Sequence, residues 1–159
     1  MRGIGLFLFG MIFGIAAIRP GAAQTDRAPA LNHVGIRVRN LEEARTFYTK
    51  NLGLHEAFEL RNPDGTLLAL YLQISRETFL ELQPATPADP PGLNHFGMET
   101  PNLDRTVATL RQGQIEVENP RVGRSNAPLT NLTGPDGERI ELLQLGPESL
   151  QRKAMESWK

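Results

Sequence analysis

The sequence contains no cysteine and almost no excess of charge. Its 159 residues include 17 Lys and Arg against 18 Asp and Glu, and only three histidines. Without cysteine the chain can form neither a disulfide scaffold nor a thiolate zinc site, and it has no cysteine nucleophile. Without a basic excess it lacks the charge that nucleic-acid-binding proteins present to phosphates. A chain of this length forms one compact domain or two small halves that share a core.

The N-terminal residues have the pattern of a secretory signal. Met1-Arg2 precedes an apolar run at residues 4–18, and small residues lie before a possible cleavage site after Ala23. The run is shorter than the roughly 20 apolar residues that a spanning helix needs, which disfavours the alternative of a retained membrane anchor. We therefore expect residues 1–23 to be cleaved, residues 24–30 to form an N-terminal extension, and the protein to be secreted or periplasmic without a stable membrane anchor.

A motif near the start of this mature chain recurs 62 residues later. Leu31-Asn32-His33-Val34-Gly35 returns as Leu93-Asn94-His95-Phe96-Gly97, and Asn40-Leu41 returns as Asn102-Leu103. A weaker similarity, Phe-Leu-Glu-Leu with Arg-Ile-Glu-Leu, ends the two copies. Identical residues in the same order at the same spacing predict a duplicated module rather than a solenoid, because only two copies are present.

Each copy predicts the order βαβββ. In the first copy, alternating apolar residues predict a strand over residues 32–39. Asn40, with Glu43 three residues later, predicts the start of a helix that ends at Gly53. Three apolar segments between turns then predict strands, at residues 55–60, 67–74 and 78–83.

The second copy repeats the pattern. A helix is predicted to begin after Asn102 and to end at Gly113. The three strands that follow are predicted at residues 115–122, 127–132 and 138–145. The modules therefore span residues 31–83 and 93–146, joined by a proline-rich linker at residues 84–92 and followed by a helical tail at residues 147–159.

Two histidines and two glutamates occupy equivalent places in the modules. Each module begins with a strand that carries a histidine, His33 or His95, and ends with a strand that carries a glutamate, Glu81 or Glu141. If those outer strands are neighbours, pseudo-twofold symmetry brings the four side chains together. Both glutamates lie inside apolar runs, where an unpaired carboxylate is costly. Two imidazoles and two carboxylates suit one divalent ion such as Ni²⁺, Zn²⁺, Fe²⁺ or Mn²⁺.

Several of these motifs resemble the vicinal oxygen chelate superfamily, which includes glyoxalase I, extradiol dioxygenases and bleomycin-binding proteins. The resemblance is carried by the strand from His33, the helix from Asn40, Asn94-His95-Phe-Gly, and Gly134-Pro-Asp-Gly-Glu-Arg-Ile-Glu. It covers about residues 30–146. It implies an α+β fold in which two tandem βαβββ modules form a curved mixed sheet around a metal cleft.

Glyoxalase I resembles the chain most closely in its ligand set, which implies a metal-dependent lyase or isomerase. By that resemblance His33, Glu81, His95 and Glu141 would be the metal ligands, and Glu141 and Glu81 would also act as base and acid. The resemblance further implies that Arg37 and Arg124 bind a small substrate, which the metal chelates through two oxygens. Two positions that grip glutathione in that enzyme are Ala85 and Pro91 here. We therefore expect another substrate, or a weak version of the glyoxalase activity.

Two alternatives of a different class remain open. Extradiol dioxygenases resemble the chain in the segment that ends at Glu141, but they use a further histidine and a tyrosine. Here the tyrosine position is Asn131 and no histidine follows His95. A non-catalytic small-molecule-binding or resistance protein of the same fold is the second alternative, although such proteins commonly lack the metal ligands. The resemblance also implies a homodimer, in which the subunits can exchange modules and share each site.

Overall fold

The computed structural model describes residues 28–158. The predicted signal peptide, residues 1–23, and most of the predicted extension therefore lie outside the described residues. Among residues 28–158, no helix has the length and apolar character needed to cross a bilayer.

Within residues 28–158, eight strands and three α-helices follow one another in two groups. The first group is β1 (Ala30–Val38), α1 (Leu41–Thr46), β2 (His55–Arg61), β3 (Leu67–Gln73) and β4 (Phe79–Pro84). The second group is β5 (Gly92–Glu99), α2 (Leu103–Gln112), β6 (Arg121–Val122), β7 (Pro128–Thr133), β8 (Arg139–Leu143) and α3 (Leu150–Ser157). Both groups have the predicted order βαβββ.

The two asparagine caps form as predicted. The Asn40 side chain accepts hydrogen bonds from the backbone N–H groups of Glu42 and Glu43, both at 3.1 Å. The helix that follows continues beyond α1 as a π-helical turn, Phe47–Asn51, before Gly53 ends it with a φ of 73°.

The end of α2 differs in detail from the prediction. Asn102 caps its start by accepting from the Arg105 N–H at 2.9 Å. Gly113 follows its end, but with a φ of −79°. The left-handed residue is instead Gln114, with a φ of 62°. The helix therefore ends at Gly113 as predicted, but the residue in the left-handed conformation is the next one, Gln114.

All eight strands belong to one curled, mixed sheet with the order β2-β3-β4-β1-β5-β8-β7-β6. In each module the first strand pairs in parallel with the last, as β1–β4 and β5–β8. The modules join where β1 pairs antiparallel with β5 in the middle of the sheet. This α+β half-barrel confirms the predicted fold class.

The predicted strand at residues 115–122 is wrong. Only Arg121–Val122 forms a strand, and Val117 makes an isolated bridge to Leu132. Pro120 has no N–H to donate to a ladder, so the alternation of apolar residues cannot continue as a paired strand. The Arg111 side chain instead donates to the carbonyls of Val117 and Glu118, both at 3.2 Å.

The two faces of the sheet are covered differently. We define the inner face as the one that carries His33. On the outer face, α1 packs on leucines of β3 and β4, and α2 packs around Leu142 of β8. On the inner face, α3 packs with Tyr71 and Phe79 of the first module and with Leu143 of the second.

The helical tail begins with a serine cap. The Ser149 hydroxyl accepts from the Arg152 N–H at 3.3 Å. The helical spacing of Leu150, Ala154 and Trp158 predicts that these three form the buried stripe, but the buried residues are Gln151, Ala154 and Met155. The buried face is therefore rotated relative to the prediction, and Trp158 ends the helix instead of continuing it.

Candidate metal centre

Four side chains from four strands meet on the inner face. His33 Nε2 lies 2.9 Å from His95 Nε2, 3.6 Å from Glu81 Oε2 and 3.6 Å from Glu141 Oε1. His95 Nε2 lies 3.2 Å from Glu81 Oε2. These are the four predicted ligands. They converge within one chain, so the cluster does not need a second subunit to complete it.

Strand register brings the four residues together. Across the β1–β5 ladder, His33 faces Gly97 and His95 faces Gly35. On the flanking ladders, Gly35 pairs with Glu81 and Gly97 pairs with Glu141. Each glycine therefore lies between a histidine on one side and a glutamate on the other. The pseudo-symmetry that the repeat predicted is present in the backbone pairing itself.

The two glycines make room for the two imidazole rings. A Cβ atom on Gly97 would overlap the ring of His33, and a Cβ atom on Gly35 would overlap the ring of His95. The sequence contained the signal for this nesting, because His-x-Gly occurs in both copies. Reasoning from the sequence missed it, because the partner of each glycine lies in the other module.

The asparagines before the histidines lie at bulges in β1 and β5. Bulges redirect side chains, often beside functional sites. Asn32 Oδ1 lies 3.0 Å from His33 Nδ1. Because an amide oxygen only accepts, this contact places the proton on Nδ1 and directs the Nε2 lone pair at the cluster.

Burial lowers the pKa of His33 to about 4. The Glu81 charge acts to raise this pKa, whereas the charges of His95 and Arg139 lower it further. His33 is therefore neutral near pH 7.

The donor set fits a divalent cation. His33, Glu81 and His95 each direct a ligand atom to one place, all within 4.8 Å of one another, and Glu141 lies beside them. All four residues are buried. Two ring nitrogens 2.9 Å apart, flanked by two carboxylates, are the nitrogen and oxygen donors that divalent transition-metal ions and zinc prefer. His95 Nδ1 is buried without a hydrogen-bond partner, so no acceptor fixes its tautomer as Asn32 does for His33.

The two glutamates are held differently. Glu81 Oε1 accepts from Gln83 Nε2 at 2.7 Å. Gln83 Oε1 accepts from Asn94 Nδ2 at 2.5 Å, and Asn94 Oδ1 accepts from Arg139 at 3.3 Å. We call these four residues the polar chain. Among the described residues no such donor holds Glu141.

The electrostatics follow the same division. Burial favours a raised pKa at Glu81, but the hydrogen bond from His95 and the charge of His33 outweigh it and lower this pKa. At Glu141, burial and the Glu81 charge outweigh the positive charges nearby and raise the pKa. Tyr71, whose ring lies edge-on to His33, has a pKa well above its usual 10 because it is buried beside both carboxylates.

The structure pairs both predicted substrate arginines with other residues. Arg37 follows His33 by four residues on β1 and so lies on the inner face, and its guanidinium lies 3.0 Å from the Asp89 carboxylate. Arg124 donates to Asn62 at 2.9 Å and so joins a turn of one module to a turn of the other. The third histidine, His55, lies on β2 with its ring edge-on to Trp158.

The chain matches the family model of the Glyoxalase/Bleomycin resistance protein/Dioxygenase superfamily over residues 30–142. It belongs to this superfamily. Enzymes of the superfamily bind a divalent metal ion, and the grouped His33, Glu81 and His95 form a possible metal site of that kind. The family match ends before α3, which lies outside it.

Several similar proteins are methylmalonyl-CoA epimerases. The mitochondrial enzyme of Bos taurus is 27% identical over 140 residues, which cover 79% of each chain. The crystal structure from Mycobacterium tuberculosis matches with a TM-score of 0.64 and 25% identity, covering 75% of this chain and 89% of that one. A Streptomyces coelicolor variant in complex with 2-nitronate-propionyl-CoA matches in fold, with a TM-score of 0.63, 22% identity and coverage of 76% and 96%. Homologues therefore bind small molecules such as coenzyme A esters.

Removing one imidazole tests the metal site directly. We expect His95→Ala to weaken Ni²⁺ or Zn²⁺ binding by at least about a hundredfold, because even residues that only orient a ligand cost 10- to 100-fold when lost. His55→Ala is the matched control, and its affinity is expected to equal that of the wild type. Calorimetric titration of protein stripped with chelator gives both values. Equal metal binding by the His95 variant would contradict the site.

Acid is expected to destabilise the metal-free protein through His33. The folded state keeps this ring neutral down to pH of about 4, whereas the unfolded chain binds the proton near pH 6.5. Protons therefore favour the unfolded state as pH falls through this window, by up to about 3 kcal/mol in the free energy of unfolding. NMR titration of the His33 ring in chelator, with urea unfolding at each pH, measures both quantities. A ring that titrates near pH 6.5 would refute this.

Proposed function

We propose that the chain is a divalent-metal-dependent enzyme of the glyoxalase-like type, a lyase or isomerase that moves a proton on a small substrate chelated through two oxygens. The observation that carries the proposal is the buried cluster of His33, His95, Glu81 and Glu141, in which one carboxylate is held and the other is not. The ion, when bound, would act as a Lewis acid that acidifies the C–H bond beside a chelated carbonyl.

Glu141 is the better candidate for the base. Its pKa is raised mainly by burial, which brings a carboxylate closer to the range where it can both take and return a proton. Because no protein donor within the described residues holds its carboxylate, it can turn from the cluster towards a substrate carbon. We assign it the removal of the proton.

Glu81 suits a more static role. The polar chain fixes its Oε1 atom through Gln83, and Oε2 faces both imidazoles. Its lowered pKa keeps it ionised. Glu81 is therefore mainly a metal ligand. It would also act as the acid, as the resemblance to glyoxalase I implies, when the substrate has a second carbon beside Glu81 that must receive a proton.

The substrate is argued from what the chain retains and what it lacks. Ala85 and Pro91 provide no polar grip for glutathione, which disfavours a glutathione hemithioacetal. The epimerase relatives favour a coenzyme A thioester with an acidic C–H beside the carbonyl, such as methylmalonyl-CoA. Such a substrate offers a carbonyl and a carboxylate oxygen for chelation.

The other classes have less support. A dioxygenase of the extradiol type would use a histidine beyond the two ligands, but His55 lies against Trp158. Asn131, at the expected tyrosine position, donates to Glu118 at 2.8 Å. A binding protein without turnover would have no need of an unrestrained buried carboxylate. Export through residues 1–23 and a homodimeric assembly remain parts of this proposal that rest on the sequence alone.

The proposal is tested by solvent exchange. Metal-loaded protein in D₂O would be incubated with methylmalonyl-CoA, a hemithioacetal and a catechol, and deuterium at carbon followed by mass spectrometry. We expect metal-dependent deuterium incorporation into a thioester or hemithioacetal substrate. Ring cleavage of the catechol would instead indicate a dioxygenase. Tight binding of any of them without exchange would indicate sequestration.

A further inference from the structure

An arginine on the inner face has no role in the function proposed above. Arg139 lies on β8, two residues before Glu141. Side chains two residues apart on a strand share a face, so its guanidinium extends from the same face as the candidate base. It is exposed, unlike the four residues of the cluster.

The polar chain points Arg139 towards the metal site. One of its terminal nitrogens donates to Asn94 at 3.3 Å, and the chain continues through Gln83 to Glu81. All three hydrogen bonds run in the same direction, from the guanidinium to the carboxylate. Because a guanidinium has five N–H donors in a fixed plane, most of them remain available after this bond forms.

Within residues 28–158, Arg139 has no carboxylate partner. Four other arginines do have one: Arg37, Arg45, Arg61 and Arg152. The polar chain nevertheless connects Arg139 to Glu81 of the cluster. The arginine is therefore linked to the site by hydrogen bonds, although no carboxylate within residues 28–158 pairs with it.

A cavity of about 620 Å³ lies beside this arginine. Asn131 also lines it, and Asn131 pairs with Glu141 across the β7–β8 ladder, so the cavity begins one strand away from the candidate base. Glu116 and Glu118 line it as well, and the Glu118 carboxylate already accepts from Asn131. Arg139 is the one cation in the described lining. The two acids disfavour a dianionic phosphate there but leave room for a single carboxylate at the guanidinium.

We propose that Arg139 binds a carboxylate of the substrate that lies beyond the two chelated oxygens, so that the enzyme selects substrates with an additional acidic group. This inference rests on the proposed function and narrows its substrate class to compounds that carry a carboxylate besides the one used in chelation, which the acyl group of methylmalonyl-CoA does not have. Arginine suits the task because its planar fork meets a carboxylate with two parallel hydrogen bonds.

The test compares two simple 2-hydroxy acids on cobalt-loaded protein. Lactate and malate both offer a hydroxyl and a carboxylate oxygen on neighbouring carbons, but only malate has a second carboxylate. Cobalt absorption reports chelation directly, and titration gives each affinity. We expect malate to bind the wild type about 10- to 100-fold more tightly than lactate, because a hydrogen bond to a charged group changes affinity by about this factor.

Variants assign the preference to the arginine. Arg139→Gln is expected to bind malate and lactate equally, with lactate affinity unchanged, and Arg139→Lys to keep part of the preference. Arg61→Gln removes an equal charge from an exposed arginine that pairs with Glu59 on β2, and it should behave like the wild type. Equal affinities in the wild type, an undiminished preference in Arg139→Gln, or the same loss in Arg61→Gln would overturn this inference alone. Failure of both acids to change the cobalt spectrum would overturn the proposed function with it.

Discussion

Glu141→Gln is expected to reduce turnover by about a thousandfold or more while leaving the fold and the bound metal in place. General base catalysis by a positioned side chain contributes about 10²- to 10⁴-fold, and an amide of the same shape cannot accept the proton. The fold should survive because no hydrogen-bond network depends on this carboxylate in the described part of the chain. An amide oxygen can still serve as a metal ligand.

The measurement is the rate of deuterium incorporation per bound metal, with metal content determined on the same sample. Glu43→Gln is a suitable control, because Glu43 is exposed on the first turn of α1, and this helix packs on the outer face of the sheet, opposite the cluster. Turnover that persists in the Glu141 variant would show that another group removes the proton. A variant that loses its metal would instead assign Glu141 a mainly structural role as a ligand.

Gly97→Ala is expected to damage the metal centre although it adds only one methyl group. The new Cβ atom would occupy the space of the His33 ring, and neighbouring strands leave little freedom for that ring to move. Overpacking of this kind costs about 1–3 kcal/mol in folding free energy. Displacing the ring also removes Nε2 from the cluster, so we expect metal affinity to fall by at least about a hundredfold.

Gly146→Ala provides the matched control, since a methyl group there would meet no atom within 4 Å. Urea unfolding and metal titration on both variants separate the two effects. Gly35→Ala should reproduce the result of Gly97→Ala, because it presses on the His95 ring in the equivalent way. Wild-type metal affinity in both variants would mean that the rings can shift without losing the ion.

The four cluster residues could be found from the sequence because each signal was local and appeared twice. His33 and His95 stand at the same place in a repeated motif, and the alternation of apolar residues assigns them to strands. The pairing that brings them together is the β1–β5 ladder, whose register no local pattern specifies. The glycine nests and the polar chain both cross that ladder, and for this reason they became visible only in the structure.

The incorrect expectations have equally specific causes. Residues 115–122 alternate like a strand, but Pro120 interrupts the hydrogen-bonding ladder and Arg111 holds the segment from its side. The four-residue spacing of His33 and Arg37 fixes their common face, yet the ion pair of Arg37 with Asp89 of the proline-rich linker cannot be predicted from spacing. In α3 the three-residue and four-residue spacings of apolar groups fit more than one buried stripe, and contacts with the sheet select the one that contains Met155.

The position of the cluster at the junction of the two modules has a mechanical consequence. Each half contributes one nitrogen and one oxygen donor, so a bound ion would tie the halves together much as a covalent crosslink does in proteins that have cysteine. Removal of the metal should therefore destabilise the β1–β5 pairing first. Amide hydrogen exchange should become faster in these two strands before it does in the outer strands of the sheet, β2–β3 and β6–β7.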